Sequence, residues 1–492
     1  MDASTLSLPP LRILYATPEC APLVKTGGLG DVASALPAAL RSLGLDVRLL
    51  LPGYPPVLTA LAGAPIAARI DASARLPAVR LLYSELPGGM PTWIVDCPDL
   101  YNRDGGPYQD ASGADWEDNP LRFGQLSRVA ALLAAAQSPV GWRAQLVHAN
   151  DWQTGLAPAY AALAGEAATP SLITIHNLSF QGIFAPHWVA DVGLPAESFT
   201  VDGVEYHGRF SFLKAGLRYA NAITTVSPTY AAEIQHEAMG MGLHGLLAAR
   251  RDVLYGILNG IDVTLWNPAT DASIAERYDA MTLTRKTRNK RALQTRFGLD
   301  PLPDVPLLGA IGRLTEQKGL DLLAEVAHRL LGLPAQIIVV GTGDTALEQR
   351  LRALAAAHPS SIGCWIGFDE TLAHLVEAGA DAFVMPSRFE PCGMNQMYSQ
   401  RYGTPPIVHA TGGLLDTVVD CTPQTLANDT ATGFMFFAPT ADALVGAIER
   451  CVAAFRDATV WRALQRNGMA RDFGWAPAAR EYATVYTRLI RS

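Results

Sequence analysis

The sequence predicts an α/β protein of two Rossmann-like domains, each a doubly wound parallel sheet, facing each other across a deep cleft. Three observations predict it. At 492 residues the chain is too long for a single core. Short apolar runs of strand type alternate with longer alanine- and leucine-rich stretches of helical spacing, which is the βαβ pattern of parallel sheets. And one phrase occurs twice, as Thr26-Gly27-Gly28-Leu29-Gly30-Asp31 and as Thr411-Gly412-Gly413-Leu414-Leu415-Asp416. Each copy stands between a predicted strand and a predicted helix.

The first half yields strands near 12–16, 46–51, 80–83, 92–95, 145–148, 171–175, 222–226 and 253–257. The second yields strands near 306–311, 336–340, 364–367, 382–385, 406–408 and 433–436. Each is a short apolar run rich in β-branched residues, and helical spacing fills most of the gaps. A polar loop at Asn267-Pro268 marks a boundary, giving domains of residues 1–265 and 266–475. The basic stretch from Arg285 to Arg296 reads as a solvated helix face. The long polar loop from Tyr101 to Asn119 reads equally as a lid or as surface decoration.

Composition narrows the function. The chain is 49% hydrophobic and 17% charged, which is globular, and its net charge of -8 argues against nucleic acid as the main partner. Five lysines stand against thirty-three arginines, which draws notice to Lys25 and Lys318 beside glycine-rich turns. The six cysteines form no C-x-x-C pair and read as buried thiols of a cytoplasmic protein. Met1 to Pro10 has no apolar core of a leader, and no apolar run reaches the length of a membrane span.

Nearly every chemically suggestive residue follows a predicted strand, on the side where doubly wound sheets bind ligands. Lys25 precedes the first Gly-Gly turn. Asp151 and Trp152 follow the strand at 145–148, His176 the strand at 171–175, and Asn259 the strand at 253–257. Arg313 and Lys318 follow the strand at 306–311, and Glu390 the strand at 382–385. A Gly-Gly turn lets backbone approach a ligand closely, and a helix start favours an anion. The set fits transfer of a sugar from a nucleotide diphosphate. Arg313 and Lys318 would neutralise the leaving group, with N–H donors from Gly28 and Gly413. Glu390, Asn259 and Asp151 would fix hydroxyls, and Trp152 would cover the apolar face of an acceptor sugar. No D-x-D pair, H-E-x-x-H or paired-cysteine pattern occurs, so no metal and no cofactor is expected. A nicotinamide dehydrogenase needs G-x-G-x-x-G in the first turn and an acid closing the second strand; the chain has neither.

These residues together resemble the bacterial glycogen synthase and plant starch synthase family. The matching phrases are Lys25-Thr-Gly-Gly-Leu-Gly-Asp-Val32, His148-Ala-Asn-Asp-Trp152, Thr174-Ile-His-Asn177, Ile257-Leu-Asn-Gly-Ile-Asp262, Gly312-Arg-Leu-Thr-Glu-Gln-Lys-Gly319, Pro386-Ser-Arg-Phe-Glu-Pro-Cys-Gly393 and Tyr402-Gly-Thr404. The resemblance implies the GT-B fold and retaining transfer of glucose from ADP-glucose to the non-reducing end of an α-1,4-glucan such as glycogen. It implies an acceptor side in the first domain, a nucleotide-sugar side in the second, and a C-terminal helix, 476–492, packed back on the first. Carried over, Glu390, His176, Lys318 and Arg313 are catalytic. Lys25, Gly27, Gly28, Asp31, Asp151, Asn259, Thr411, Gly412 and Gly413 bind donor, and Trp152 binds acceptor. Departures are Tyr398, where wider GT-B relatives carry a second glutamate, and His244 and Ala410, where bacterial members often carry a carboxylate and an arginine. A transferase using UDP-glucose or another acceptor, and a non-catalytic glucan-binding protein, are the alternative readings.

Overall fold

The structure is a computed structural model that describes residues 10–165 and 168–491. Most of the N-terminal stretch read above for a leader lies outside the described residues. The chain forms two compact units, one running to Gly260 and resuming at Trp475, the other spanning Ile261–Gly474.

The first unit is built on nine strands: β1 (Arg12–Ala16), β2 (Asp46–Pro52), β3 (Ile66–Ile70), β4 (Val79–Leu86), β5 (Met90–Asp96), β6 (Leu146–Asn150), β7 (Ser171–Ile175) and, after a small sheet, β11 (Ala222–Thr225) and β12 (Leu254–Gly256). Their order is β12-β11-β7-β6-β1-β2-β5-β4-β3. β1, β6 and β7 are buried almost throughout, which is why apolar residues predominate in them without the alternation of a half-solvated strand. The winding reverses at β1, which pairs in parallel with β2 on one side and β6 on the other. That is the switch point where ligands bind beyond strand ends.

This sheet is mixed, which corrects the expectation of a wholly parallel one. β4 runs antiparallel to both β5 and β3. The Gly88-Gly89 turn, with φ of +92° and +78°, folds β4 directly back into β5. β3 escapes a sequence reading because it is largely solvated and its centre is Ala-Ala-Arg. A separate sheet of β8 (Ile183–Phe184), β9 (Glu205–Tyr206) and β10 (Arg209–Ser211) is also unforeseen, its strands being too short for periodicity.

Helix Trp475–Arg491 belongs to the first unit and packs on helix Gly28–Ser42. Its Tyr486 hydroxyl bonds His148 Nδ1 at 2.6 Å, and His148 Nε2 meets Thr174 Oγ1 at 2.6 Å. A buried polar chain thus ties this helix to the middle of the sheet.

The second unit has six parallel strands: β13 (Leu307–Ile311), β14 (Gln336–Gly341), β15 (Ile362–Ile366), β16 (Ala382–Met385), β17 (Pro406–His409) and β18 (Phe434–Phe436). The order β15-β14-β13-β16-β17-β18 is the doubly wound one, with its switch point at β13. Segment 262–283 is pinned to the unit by Trp266, whose ring stacks on His374 at 3.9 Å and on Tyr398 at 3.8 Å. Among the described residues no helix is long and apolar enough to cross a membrane.

Candidate functional site

In the second unit three loops meet beyond β13, β16 and β17. Gly319 ends the turn Glu316–Lys318 at φ +65°, and a Cβ there would lie 2.0 Å from the Pro386 carbonyl oxygen. Only glycine permits that approach. The Arg388 backbone N–H then bonds Gln317 O at 2.9 Å, and its guanidinium takes Asp321 at 2.8 and 2.6 Å. So stitched, the loops bring Lys318 Nζ to 2.6 Å from Glu390 Oε2, which also accepts from Ser387 Oγ at 2.9 Å. Glu390 is 4% exposed, and its Oε1 has no protein partner among the described residues. Arg313, in the same loop after β13, is exposed and without a side-chain partner among the described residues.

The second Thr-Gly-Gly turn does something other than expected. Gly412 and Gly413 are buried, and Cβ atoms there would lie 2.0 Å from Glu390 O and 2.1 Å from Cys392 O. Gly413 N–H donates to Glu390 O at 3.1 Å. Its donor is therefore not free for a ligand, which corrects that assignment. The two glycines seat the Glu390 loop.

In the first unit the corresponding turn follows β1 and is open. Gly27 and Gly28 are exposed, and a Cβ on Gly27 would meet nothing within 4 Å. Helix Gly28–Ser42 starts there without a side-chain cap. Lys25 Nζ pairs with Asp31 at 2.8 Å.

Beyond β6 and β7 stand Asp151 and His176. Asp151 has φ 53° and ψ -169°, close to a region that only glycine occupies readily. It is held there because Asp151 N–H donates to Thr174 O and its Oδ1 accepts from His176 N–H at 2.7 Å. Burial pushes its carboxyl up to about 7, against the opposing pull of the His176 and Asn177 N–H groups. Burial pushes His176 down to about 3. His176 Nε2 lies 2.9 Å from Asn150 Oδ1, while Asn150 Nδ2 donates to Ala16 O. The neutral ring therefore carries its proton on Nε2 and keeps Nδ1 as an acceptor. Asn259 is 7% exposed and its Oδ1 is buried with no partner, as at a position completed by a ligand.

Trp152 is corrected. It is 9% exposed, with Phe123, Phe184, Phe212 and Tyr108 around its ring, and a Cβ on Gly182 would lie 2.4 Å from it. No face is left for a sugar. It supports the segment after His176, where Phe180 stands 50% exposed. The loop from Tyr101 to Asn119 is no loose lid: Arg122, 1% exposed, donates to Leu100 O, Pro107 O and Asn119 Oδ1. His244 Nδ1 is buried without a partner, and Ala410 is half-buried after β17. Sequence reading missed the parts played by Ser387, which bonds Glu390, and Asn150, which bonds His176.

Residues 12–249 match the starch synthase catalytic domain, and residues 294–457 the glycosyl transferases group 1 family. A glycogen synthase of Nitrosospira multiformis is 53% identical over 98% of each chain. One of Aromatoleum aromaticum is 56% identical over 97% of each. Among solved structures, the catalytic domain of starch synthase IV from Arabidopsis thaliana, bound to ADP and acarbose, superimposes with a TM-score of 0.85 at 31% identity. The match covers 98% of this chain and all of that one.

Proposed function

Because the chain belongs to the glycogen synthase family, we propose that it transfers glucose from ADP-glucose to the non-reducing end of an α-1,4-glucan, with retention at the anomeric carbon. The observation that carries this is the Lys318–Glu390–Ser387 cluster at the switch point of the second unit, with Arg313 in the same loop as Lys318. As the bond from C1 to the diphosphate oxygen breaks, negative charge grows on the leaving group. Arg313 and Lys318 supply fixed positive charge for it, and no cofactor or metal is needed for that step. Glu390 holds Lys318 through Oε2 and keeps Oε1 for a hydroxyl of the transferred glucose. Gly412 and Gly413 serve by fixing the Glu390 loop, and Thr411 precedes them on the donor side.

The first unit offers Lys25, Asp31 and the open Gly27-Gly28 turn for the donor, Asn259 and Asp151 for sugar hydroxyls, and His176 with a fixed tautomer. Phe180, in place of Trp152, presents an open ring for an acceptor sugar. The relative bound to ADP supports an adenine rather than a uridine donor. The test is nucleotide release with glycogen as acceptor. ADP-glucose should be used at least tenfold more efficiently than UDP-glucose, and the reverse preference would replace this reading with the UDP-glucose one. Turnover should also persist after exhaustive chelation; loss of activity restored by a divalent ion would show that diphosphate neutralisation is not left to Arg313 and Lys318.

A further inference from the structure

We propose that Glu19 is the positioning residue of the Lys25–Asp31 turn, and that it joins this turn to the long loop from Tyr101 to Asn119. Glu19 lies in the loop that follows β1 and is 2% exposed. Its Oε2 accepts from Thr26 N–H at 2.6 Å and its Oε1 from Thr26 Oγ1 at 2.6 Å. The hydroxyl of Tyr108 also donates to Oε1. No cation pairs with this carboxylate among the described residues; three neutral donors hold it. Burying such a polar group costs free energy unless it is hydrogen-bonded, and these three bonds tie it to Thr26 and to Tyr108.

What they fix is the residue next to Lys25. The Thr26 backbone N–H and side chain are both taken by Glu19, so the turn cannot rotate about that residue. On the Lys25 side, Gly30 leaves room for the lysine stem: a Cβ there would sit 3.2 Å from Lys25 Cγ. Asp31 then holds Nζ at 2.8 Å. Cys20 and Val24 exchange backbone hydrogen bonds at 3.0 Å, and Ala21 N–H reaches Gly30 O at 3.0 Å, which closes the loop on itself. Cys20, Leu23 and Val24 pack on the core of the unit, and Glu19 adds a hydrogen bond from this loop to the segment that holds Tyr108. That segment is itself rigid. Tyr108 O accepts from Trp116 N–H at 3.1 Å and Asn119 Nδ2 at 3.0 Å, and the Tyr108 ring packs on Phe123. The position of Lys25 is thus referred through Glu19 and Tyr108 to the start of helix Asn119–Ala134.

The inference rests on the reading that the Lys25 turn meets the donor, and its test keeps the two apart. Initial rates would be taken for wild type, Glu19→Gln, Thr26→Val, Thr26→Ser and Tyr108→Phe, varying ADP-glucose and glycogen in turn, with thermal unfolding alongside. Glutamine keeps the shape but turns an N–H₂ toward one set of donors. Glu19→Gln and Thr26→Val should raise KM for ADP-glucose about tenfold, the loss of one charge-assisted hydrogen bond. Tyr108→Phe should do so by less, and Thr26→Ser should restore the wild-type value. KM for glycogen should stay put, and the unfolding midpoint should fall by no more than the few degrees that one buried hydrogen bond is worth. An unchanged donor KM in folded Glu19→Gln, or an equal rise in both KM values with a lowered midpoint, would overturn the positioning role alone. A wild type that does not turn over ADP-glucose would overturn the donor reading and the inference with it.

Discussion

At the scale of the residue, the site works by opposed charge environments. Lys318 and Glu390 are paired at 2.6 Å, so neither can be removed without stranding the other. Lys318→Ala should lower kcat about a hundredfold, the size of loss typical of a deleted transition-state donor, in a chain that still folds. Unchanged turnover would show the pair to be only structural. Asp151 and His176 set up a second opposition. Asp151, raised to about 7, holds its proton in the folded state longer than in the unfolded chain, so its contribution is full below about pH 4 and is lost as pH rises through 7. His176, lowered to about 3, stays neutral when folded, so its contribution is full above about pH 6.5 and is lost as pH falls toward 3. Between about pH 4 and 6.5 the two slopes oppose each other. Asp151→Asn removes one of them, and its stability should climb more steeply with pH in that window than wild type does. Parallel denaturation curves for the two proteins across the window would contradict the assigned titrations.

At the scale of the element, the same letters do different physical work. The two Thr-Gly-Gly turns were legible as strand-to-helix turns, and both are. What letters do not carry is what fills the space beside them. Gly27 faces open space, whereas Gly413 is pressed against the backbone of Cys392. Gly413→Ala should therefore fail in folding, at a cost of several kcal/mol for a buried clash. Gly27→Ala should keep the wild-type unfolding midpoint and raise donor KM, since its cost appears only when a ligand approaches. Both variants are read by thermal unfolding and kinetics together, and a stable Gly413→Ala would refute the packing role. Buried parallel strands such as β7 and β16 were readable because both faces are covered, so apolar residues predominate on each. β3 was not, because an edge strand with a solvated face carries little pattern. Trp152 shows the same limit within a motif: its type suggested a sugar platform, while its ring is enclosed by four other aromatic residues. The pairing of Lys318 with Glu390 spans 72 positions and was legible only as two loops on one side of a sheet.

At the scale of the whole molecule, the second unit is an insertion into the first. Helix Trp475–Arg491 returns to the first unit with Trp475, Ala478, Ala479, Tyr482, Val485 and Tyr486 all buried. Fully burying each large apolar side chain is worth about 1.5–3 kcal/mol, so a chain cut after Gly474 should lose much of the first unit's stability. Such a chain should bind a hydrophobic dye and unfold at a lower midpoint; wild-type behaviour would mean that the helix is dispensable. The buried chain from Tyr486 through His148 to Thr174 adds a direction to this dependence. Synthesis runs from the N-terminus at roughly 5–20 residues per second. The sheet of the first unit leaves the ribosome complete, yet its covering helix follows only after the whole of Ile261–Gly474. For some tens of seconds the nascent protein therefore carries an open trench, at whose floor His148 Nδ1 lacks the Tyr486 hydroxyl. The unit made first is the one finished last, and over that interval its yield depends on whatever shields the trench until residue 475 arrives.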